Sequence, residues 1–465
     1  MSTAELKTSS ATGLWRPYEP SAVVPWDLRR VVHLHRRAGF AATWPEIERD
    51  LADGPQAAVS RLLEGRSRLQ GVPDDFERLA DVIGDSAVAS AAPSRLKAWW
   101  LYRMLFGLDP LTERLALMWH SHFATSNLKV DSLAAMRRQN QLFRQHARAP
   151  FAELLFAVMH DPALLDWLDA SSNRKGHPNE NLARESMELF TLGIGHYSED
   201  DVREAARALT GWSTKTGSFR LDERFHDDGE KTILGRSGTF DGDAFVQILL
   251  EHSATAQRVA WRISREFLGE GAIAADDLAE LAAGMRERDL EVGWAVETVL
   301  RSRAFFAEAN LGACISAPVQ FVVGAARALE MFDRPPSTLL LAEWSARLGQ
   351  DLFYPPNVGG WTGGRHWLSS RTVIGRTNFA LALVGGALTH PSQPLDAFAL
   401  ARKYRRVNSA GNAFEFYDDL LLGGRLDPAT RETILRVAGQ NSDSQDETLR
   451  QAVAMLLARP EAQLT

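Results

Sequence analysis

The amino-acid sequence predicts an all-α protein: one large multi-helix domain with a small β-hairpin insertion. Three observations carry this. Helix start and stop signals recur along the chain. Apolar residues between them repeat at three and four, the helical period. Only one stretch pairs short runs across a hairpin-type turn.

The helical segments follow in order. "TWPEIERDLADG" sets Thr43 and Glu46 at capping-box spacing, with Pro45 in the first turn and Gly54 as the stop. "DPLTERLALMWH" offers Asp109 as a cap and Pro110 as the first helical residue. "HPNENLARESMELFTLG" breaks at Pro178, so its helix starts at Asn179 or Asn181, either of which can cap. "SEDDVREAARALTG" runs from Ser198 to Gly211, and "SATAQRVAWRISREFLG" repeats that scheme from Ser253 to Gly269. Trp99 and Trp100 lie in a helical pattern and are expected in the core. In "FRLDERFHDDGEKTILG" short runs flank Asp228-Gly229, a common hairpin turn pair, so a two-stranded ribbon is expected there. "DLFYPPNVGGWTGGRHWLSSR" packs two prolines, four glycines and two tryptophans into residues 351–371, a loop with large anchors. Residues 1–22 carry Ser, Thr and Pro without a period and are expected to be flexible. No linker or fixed-period repeat divides residues 23–465, which are expected to form a single helical domain.

Composition narrows the function classes. The chain has 465 residues, 45% of them hydrophobic, and a net charge of −7, without the basic excess of a general nucleic-acid binder. Of 52 basic residues, 45 are arginine, a side chain suited to planar, bidentate pairing with carboxylates. The single cysteine, Cys314, rules out an intramolecular disulfide, and its apolar context reads as a small buried hydrophobe. The start lacks the basic and apolar runs of a signal peptide, and no apolar run reaches the ~18 residues of a membrane span. The expected compartment is the cytoplasm. No Gly-x-Gly-x-x-Gly, Walker loop or Gly-x-Ser-x-Gly elbow occurs, so no nucleotide cofactor is expected.

Three clusters can carry chemistry. In the first, Glu185 and Glu188 stand three apart on one helix face, and Arg184 can pair with Glu188. Glu185 lies near the buried stripe, between Leu182 and Leu189, with no basic residue one turn ahead. A buried carboxylate needs a partner. That partner is either an arginine network or a metal ion, unless Glu185 is itself an acid/base residue. In the second, His120 and His122 sit at a helix end. A His-x-His pair is a modest metal signal, and a C-terminal cap with a packed neighbour explains it as well. In the third, His226, Asp227, Glu230 and Lys231 crowd the expected turn, where solvated residues are common but rigidly held loops also present functional groups. Together the histidines and carboxylates match a non-haem metal site in composition.

These clusters, in this order, resemble a bacterial family catalogued as domain of unknown function 1800. The resemblance rests on "HLHRRAGFAATWPEIE" (33–48), "LTERLALMWHSHFATSNLKV" (111–130), "FRQHARAPFAELLFAVMHDPALLDWLD" (143–169), "NENLARESMELFTLGIGHYSEDDVREAARALTGW" (179–212), "FHDDGEKTILG" (225–235), "YPPNVGGWTGGRHWLSS" (354–370) and "LRQAVAMLLARPEAQL" (449–464). It covers nearly the whole chain. It implies no assigned activity. It does imply a sulfatase-like partner protein, with export bound to that partner as an alternative to the cytoplasm.

The leading expectation is a metal-dependent enzyme, hydrolytic or oxygen-activating, acting on an unidentified small molecule or peptide. Its ligands to Fe, Mn or Zn would be His120, His122, Glu185, Glu188 and His226, with Arg184, Asp227 and Lys231 beside Glu185 as catalytic candidates. The alternative is a non-enzymatic assembly, carrier or export-partner protein that grips its partner with the Trp-rich loop.

Overall fold

The helix caps work as the sequence predicts. In the computed structural model, which describes residues 13–65, 75–215, 217–440 and 442–465, Thr43 and Glu46 close a capping box at the start of helix Trp44–Asp53. Asp109 accepts the backbone N–H of Thr112 to open helix Pro110–His122. Ser198 and Asp201 form a second capping box, on helix Glu199–Ala208. Among the described residues there are 24 α-helices and two separate two-stranded antiparallel sheets. One contiguous hydrophobic cluster runs from Trp15 to Ala462 and includes Trp99 and Trp100, both fully buried. No helix among the described residues is long and apolar enough to cross a membrane.

Three details differ from the sequence expectation. The first is the β insertion. Strand β1 (Trp212–Lys215) pairs with β2 (Ser218–Leu221), and β3 (Lys231–Ile233) pairs with β4 (Arg236–Gly238). The ribbon across Asp228-Gly229 does not form; β2 and β3 belong to different sheets. The Asp227 carboxylate accepts the Gly229 N–H at 3.0 Å and closes the segment on itself as an Asx-type turn. The turn that does join two strands there is Leu234-Gly235, both at positive φ, as a two-residue hairpin requires.

The second concerns the N-terminal stretch. Residues 1–12 lie outside the described residues. Residues 13–22, expected to be flexible, are pinned: the Trp15 indole donates to Asp277 O at 2.8 Å, Tyr18 N to Arg301 O at 2.7 Å, and both rings are buried. The third is helix Glu199–Ala208, which stops short of Gly211. The Thr210 hydroxyl donates to the Arg207 carbonyl at 2.6 Å, and Gly211 turns the chain into β1.

Candidate anion-binding cleft

The segment Asn179–Gly193 begins as expected and then departs from α geometry. The Asn179 carboxamide accepts the Asn181 N–H at 2.9 Å, and helix Asn181–Glu185 passes into a π-helical stretch, Ser186–Thr191. The Thr191 hydroxyl donates to Ser186 O at 2.6 Å, an inserted side-chain bond of the kind that widens a turn. Leu192 N and Gly193 N then both return to Met187 O. The carbonyls of Leu189 and Phe190 need other donors at this helix end. Arg258 supplies Nε and Nη2 to Leu189 O at 3.2 and 3.1 Å, and His122 supplies Nε2 to Phe190 O at 3.0 Å.

One ring nitrogen of His122 is thus engaged. Burial, with Arg262 and Arg258 beside it, holds its pKa well below the ordinary value, so the ring is neutral. A neutral ring that donates from Nε2 keeps Nδ1 as an unprotonated acceptor. His120 is also neutral and buried; burial lowers its pKa to about 3. Its Nε2 accepts the Phe353 N–H at 3.2 Å, inside a box of Trp100, Phe143, Phe353 and Trp361. Its lone pair is therefore already in use.

The acids do not join them. Glu188 accepts the Tyr197 hydroxyl at 2.8 Å. Arg184 pairs with Glu180 and Glu199, not with Glu188 as the spacing suggested. No side chain among the described residues donates to Glu185, and burial, then Glu188, raises its pKa. The third cluster closes on itself. His226 Nδ1 meets Thr210 O at 2.9 Å. Arg207 holds Asp227, and the buried Lys231 ammonium donates to the carbonyls of Asp227 and Gly229. Arg207, then a backbone N–H, lowers the Asp227 pKa to about 2, and burial lowers that of Lys231. Among the described residues no group of three or more His, Cys, Asp or Glu converges to hold a metal ion. The five expected ligands do not converge in this arrangement: His120 Nε2, His122 Nε2 and His226 Nδ1 each meet a backbone group.

What the fold does assemble is a cleft lined with arginine. Two adjoining cavities, of about 310 and 260 Å³, share the walls Ser121, Arg262, Arg265, Trp361 and Thr362. The larger adds Arg37, Arg114, Arg365, Glu266 and Glu270; the smaller adds Arg258, Trp261 and His122. Helical spacing builds two of the walls. Arg114, Met118 and Ser121 fall on one face of helix Pro110–His122, and Arg258, Trp261, Arg262 and Arg265 on one face of helix Ser253–Leu268. The Trp-rich loop forms the roof. At Gly360, in the left-handed region, a Cβ would lie 2.2 Å from Ser121 O, so only glycine lets roof and floor approach this closely. Cys314, expected to be buried, is part-exposed and lines the larger cavity.

The charges in these walls do not balance. Six arginines face two glutamates. Arg114 pairs with Glu266, and Arg265 with Glu270. Arg262 reaches Glu266 only at 4.0 Å and donates to Met118 O at 3.0 Å. Arg258 is spent on the Leu189 carbonyl, and Arg37 on Asn310. The Nε groups of Arg37, Arg114 and Arg262 are buried with no acceptor among the described residues. Burial lowers the Arg262 pKa to about 10 and those of Arg114 and Arg258 also, yet a guanidinium stays charged at neutral pH.

A family model covers this architecture from residue 33 to residue 464. The chain belongs to the family described as Protein of unknown function (DUF1800). The match takes in Arg37, the arginine face of helix Ser253–Leu268 and the Trp-rich roof. No curated protein and no solved structure matches this member of the family.

The arginine face is what the sequence reading of this family member missed. Arg258, Arg262 and Arg265 stand at i, i+4 and i+7, with Trp261 among them, in a helix marked in sequence by its Ser253 start, Gly269 stop and apolar period. A cationic stripe at that spacing is visible in sequence. That Arg37 and Arg114 complete it from other helices is not.

Proposed function

We propose that this protein binds a small anionic ligand in the arginine-lined cleft and acts as a non-enzymatic carrier or assembly protein. One observation carries the reading: six arginine side chains share the walls of two cavities with two glutamate side chains. Like charges held in a partly enclosed, low-dielectric site repel one another, and a bound oxyanion offsets that cost. The guanidinium fork suits carboxylate and phosphate alike. The Trp-rich loop, read from sequence as a grip on a partner, acts here as the roof over the ligand.

The test is thermal unfolding and calorimetry with inorganic phosphate, sulfate and citrate as probes, against chloride at matched ionic strength. The expected result is a rise in Tm that chloride does not reproduce and that shrinks in Arg262→Gln. A ligand at one hundred times its Kd stabilises by about 2.7 kcal/mol. Identical melting in all four salts would overturn the proposal.

A second reading, the metal-dependent enzyme, keeps one supporting observation: Glu185 and Glu188 form a close acid pair, with no side chain donating to Glu185 among the described residues. Two carboxylates fall short of a protein site of three or four ligands. Equal, negligible metal in the purified protein and in Glu185→Ala would remove that reading.

A further inference from the structure

The cleft has two lobes, and each brings its own cations. Arg37 and Arg114 belong to the larger lobe alone, Arg258 to the smaller alone, and Arg262 and Arg265 stand in the wall between. Along helix Ser253–Leu268, residues 258 and 265 are seven positions apart, a rise of roughly 10 Å at about 1.5 Å per residue. Two guanidiniums on this helix, one in the smaller lobe and one in the shared wall, are also held in place. Arg258 and Arg265 lie over the Trp261 ring at 4.7 and 5.2 Å, which limits the rotamer freedom each would lose on meeting an anion. A single small oxyanion can engage one lobe, which leaves the cations of the other without an anion.

Building on the anion-binding reading, we propose that the cleft takes an elongated dianion: two oxyanion groups, carboxylate or phosphate, one in each lobe, joined by an uncharged spacer that passes beneath Trp361. Linking two anions makes the second contact intramolecular. Affinity then rises steeply once the linker spans the two sites, and falls again beyond that length.

The experiment is calorimetry on the full chain with graded series of α,ω-dicarboxylates and α,ω-alkane bisphosphonates, with acetate and inorganic phosphate as single-anion references. The expected result is a gain of about tenfold or more over the reference at an intermediate chain length. The series with the larger gain identifies the oxyanion. Arg37→Gln, in the larger lobe, and Arg258→Gln, in the smaller, should each abolish the length optimum and leave affinity at the single-anion level, and Arg258→Lys should restore part of the gain. Melting curves and circular dichroism confirm that each variant is folded; where Arg258→Gln is not, Arg37→Gln alone decides. Phosphate binding with no gain at any chain length would overturn the two-lobe proposal and leave the anion-binding reading standing. No binding by any probe would overturn both.

Discussion

Compare the loop at residues 226–231 with the arginine cleft. Both are dense in charge, and they dispose of it in opposite ways. In the loop most groups end on a neighbour: Asp227 on Arg207, Lys231 on two carbonyls, His226 on the Thr210 carbonyl, and the Thr210 hydroxyl on the Asp227 N–H, while Glu230 faces solvent. No buried charge there is left without a partner. In the cleft the carboxylates run out first, and Arg37 and Arg258 fall back on a carboxamide and on carbonyls. Density of polar residues marks where a chain must solve a desolvation problem. Surplus of one sign, inside a cavity, marks where it has left the solution to a ligand.

The sharpest way to break the comparison is to deepen the surplus. Glu266 is largely buried and lies against both Arg114 and Arg262. Removing one partner of a buried pair costs about 3–5 kcal/mol. Glu266→Ala is expected to lower stability by that order in chloride, read from denaturant unfolding, with part of the loss recovered in phosphate. A loss that phosphate leaves unchanged would mean that the cleft is an internal ion-pair network and no more.

The loop answers differently. Lys231→Met removes an ammonium that satisfies two carbonyls, and a buried polar group left unpaired costs about 1–3 kcal/mol. Stability should fall by that order, while affinity for phosphate stays at the wild-type value. A parallel loss of phosphate binding would erase the distinction between the two regions.

The same contrast explains what the sequence made legible. Capping boxes are local, so Thr43 with Glu46 and Asp109 with Thr112 could be read directly. That no basic residue stands one turn after Glu185 was also legible, because position 189 is leucine. The turn pair Asp228-Gly229 misled, because a neighbouring carboxylate, that of Asp227, takes the Gly229 N–H. The surroundings of His120 and His122 were not legible, for a longer-range reason. Their partners, the donor Phe353 N–H and the acceptor Phe190 O, come from segments 233 and 68 residues away. A π-helical end that frees two carbonyls has no signature in the apolar period.

Acid titration separates a buried structural histidine from a ligand-binding one. The His120 pKa is about 3 when folded against about 6.5 unfolded, so between these values the unfolded chain binds a proton that the native protein does not. Its contribution is thus present above pH 6.5 and lost as pH falls through that window, at up to about 1.4 kcal/mol per pH unit. His120→Gln, which keeps an acceptor for Phe353 N, should flatten the fall of Tm with acid. Addition of zinc should leave the wild-type curve unmoved. A zinc-dependent rise in Tm that His120→Gln abolishes would return this histidine to a metal site.

The smallest effect belongs to Arg184, the one expected catalytic cation that lies outside both regions. It is part-exposed and pairs with two solvent-facing acids, Glu180 and Glu199. Exposed pairs of this kind contribute little, because water screens both partners and the long side chains lose rotamer freedom on meeting. Arg184→Gln should therefore leave Tm within the scatter of replicate melts, and phosphate affinity and the dianion length optimum unchanged. The variant tests whether charge alone, rather than charge left unpaired in a cavity, makes a binding site: a loss of phosphate binding here would extend the site to the helix surface and dissolve the boundary drawn around the cleft.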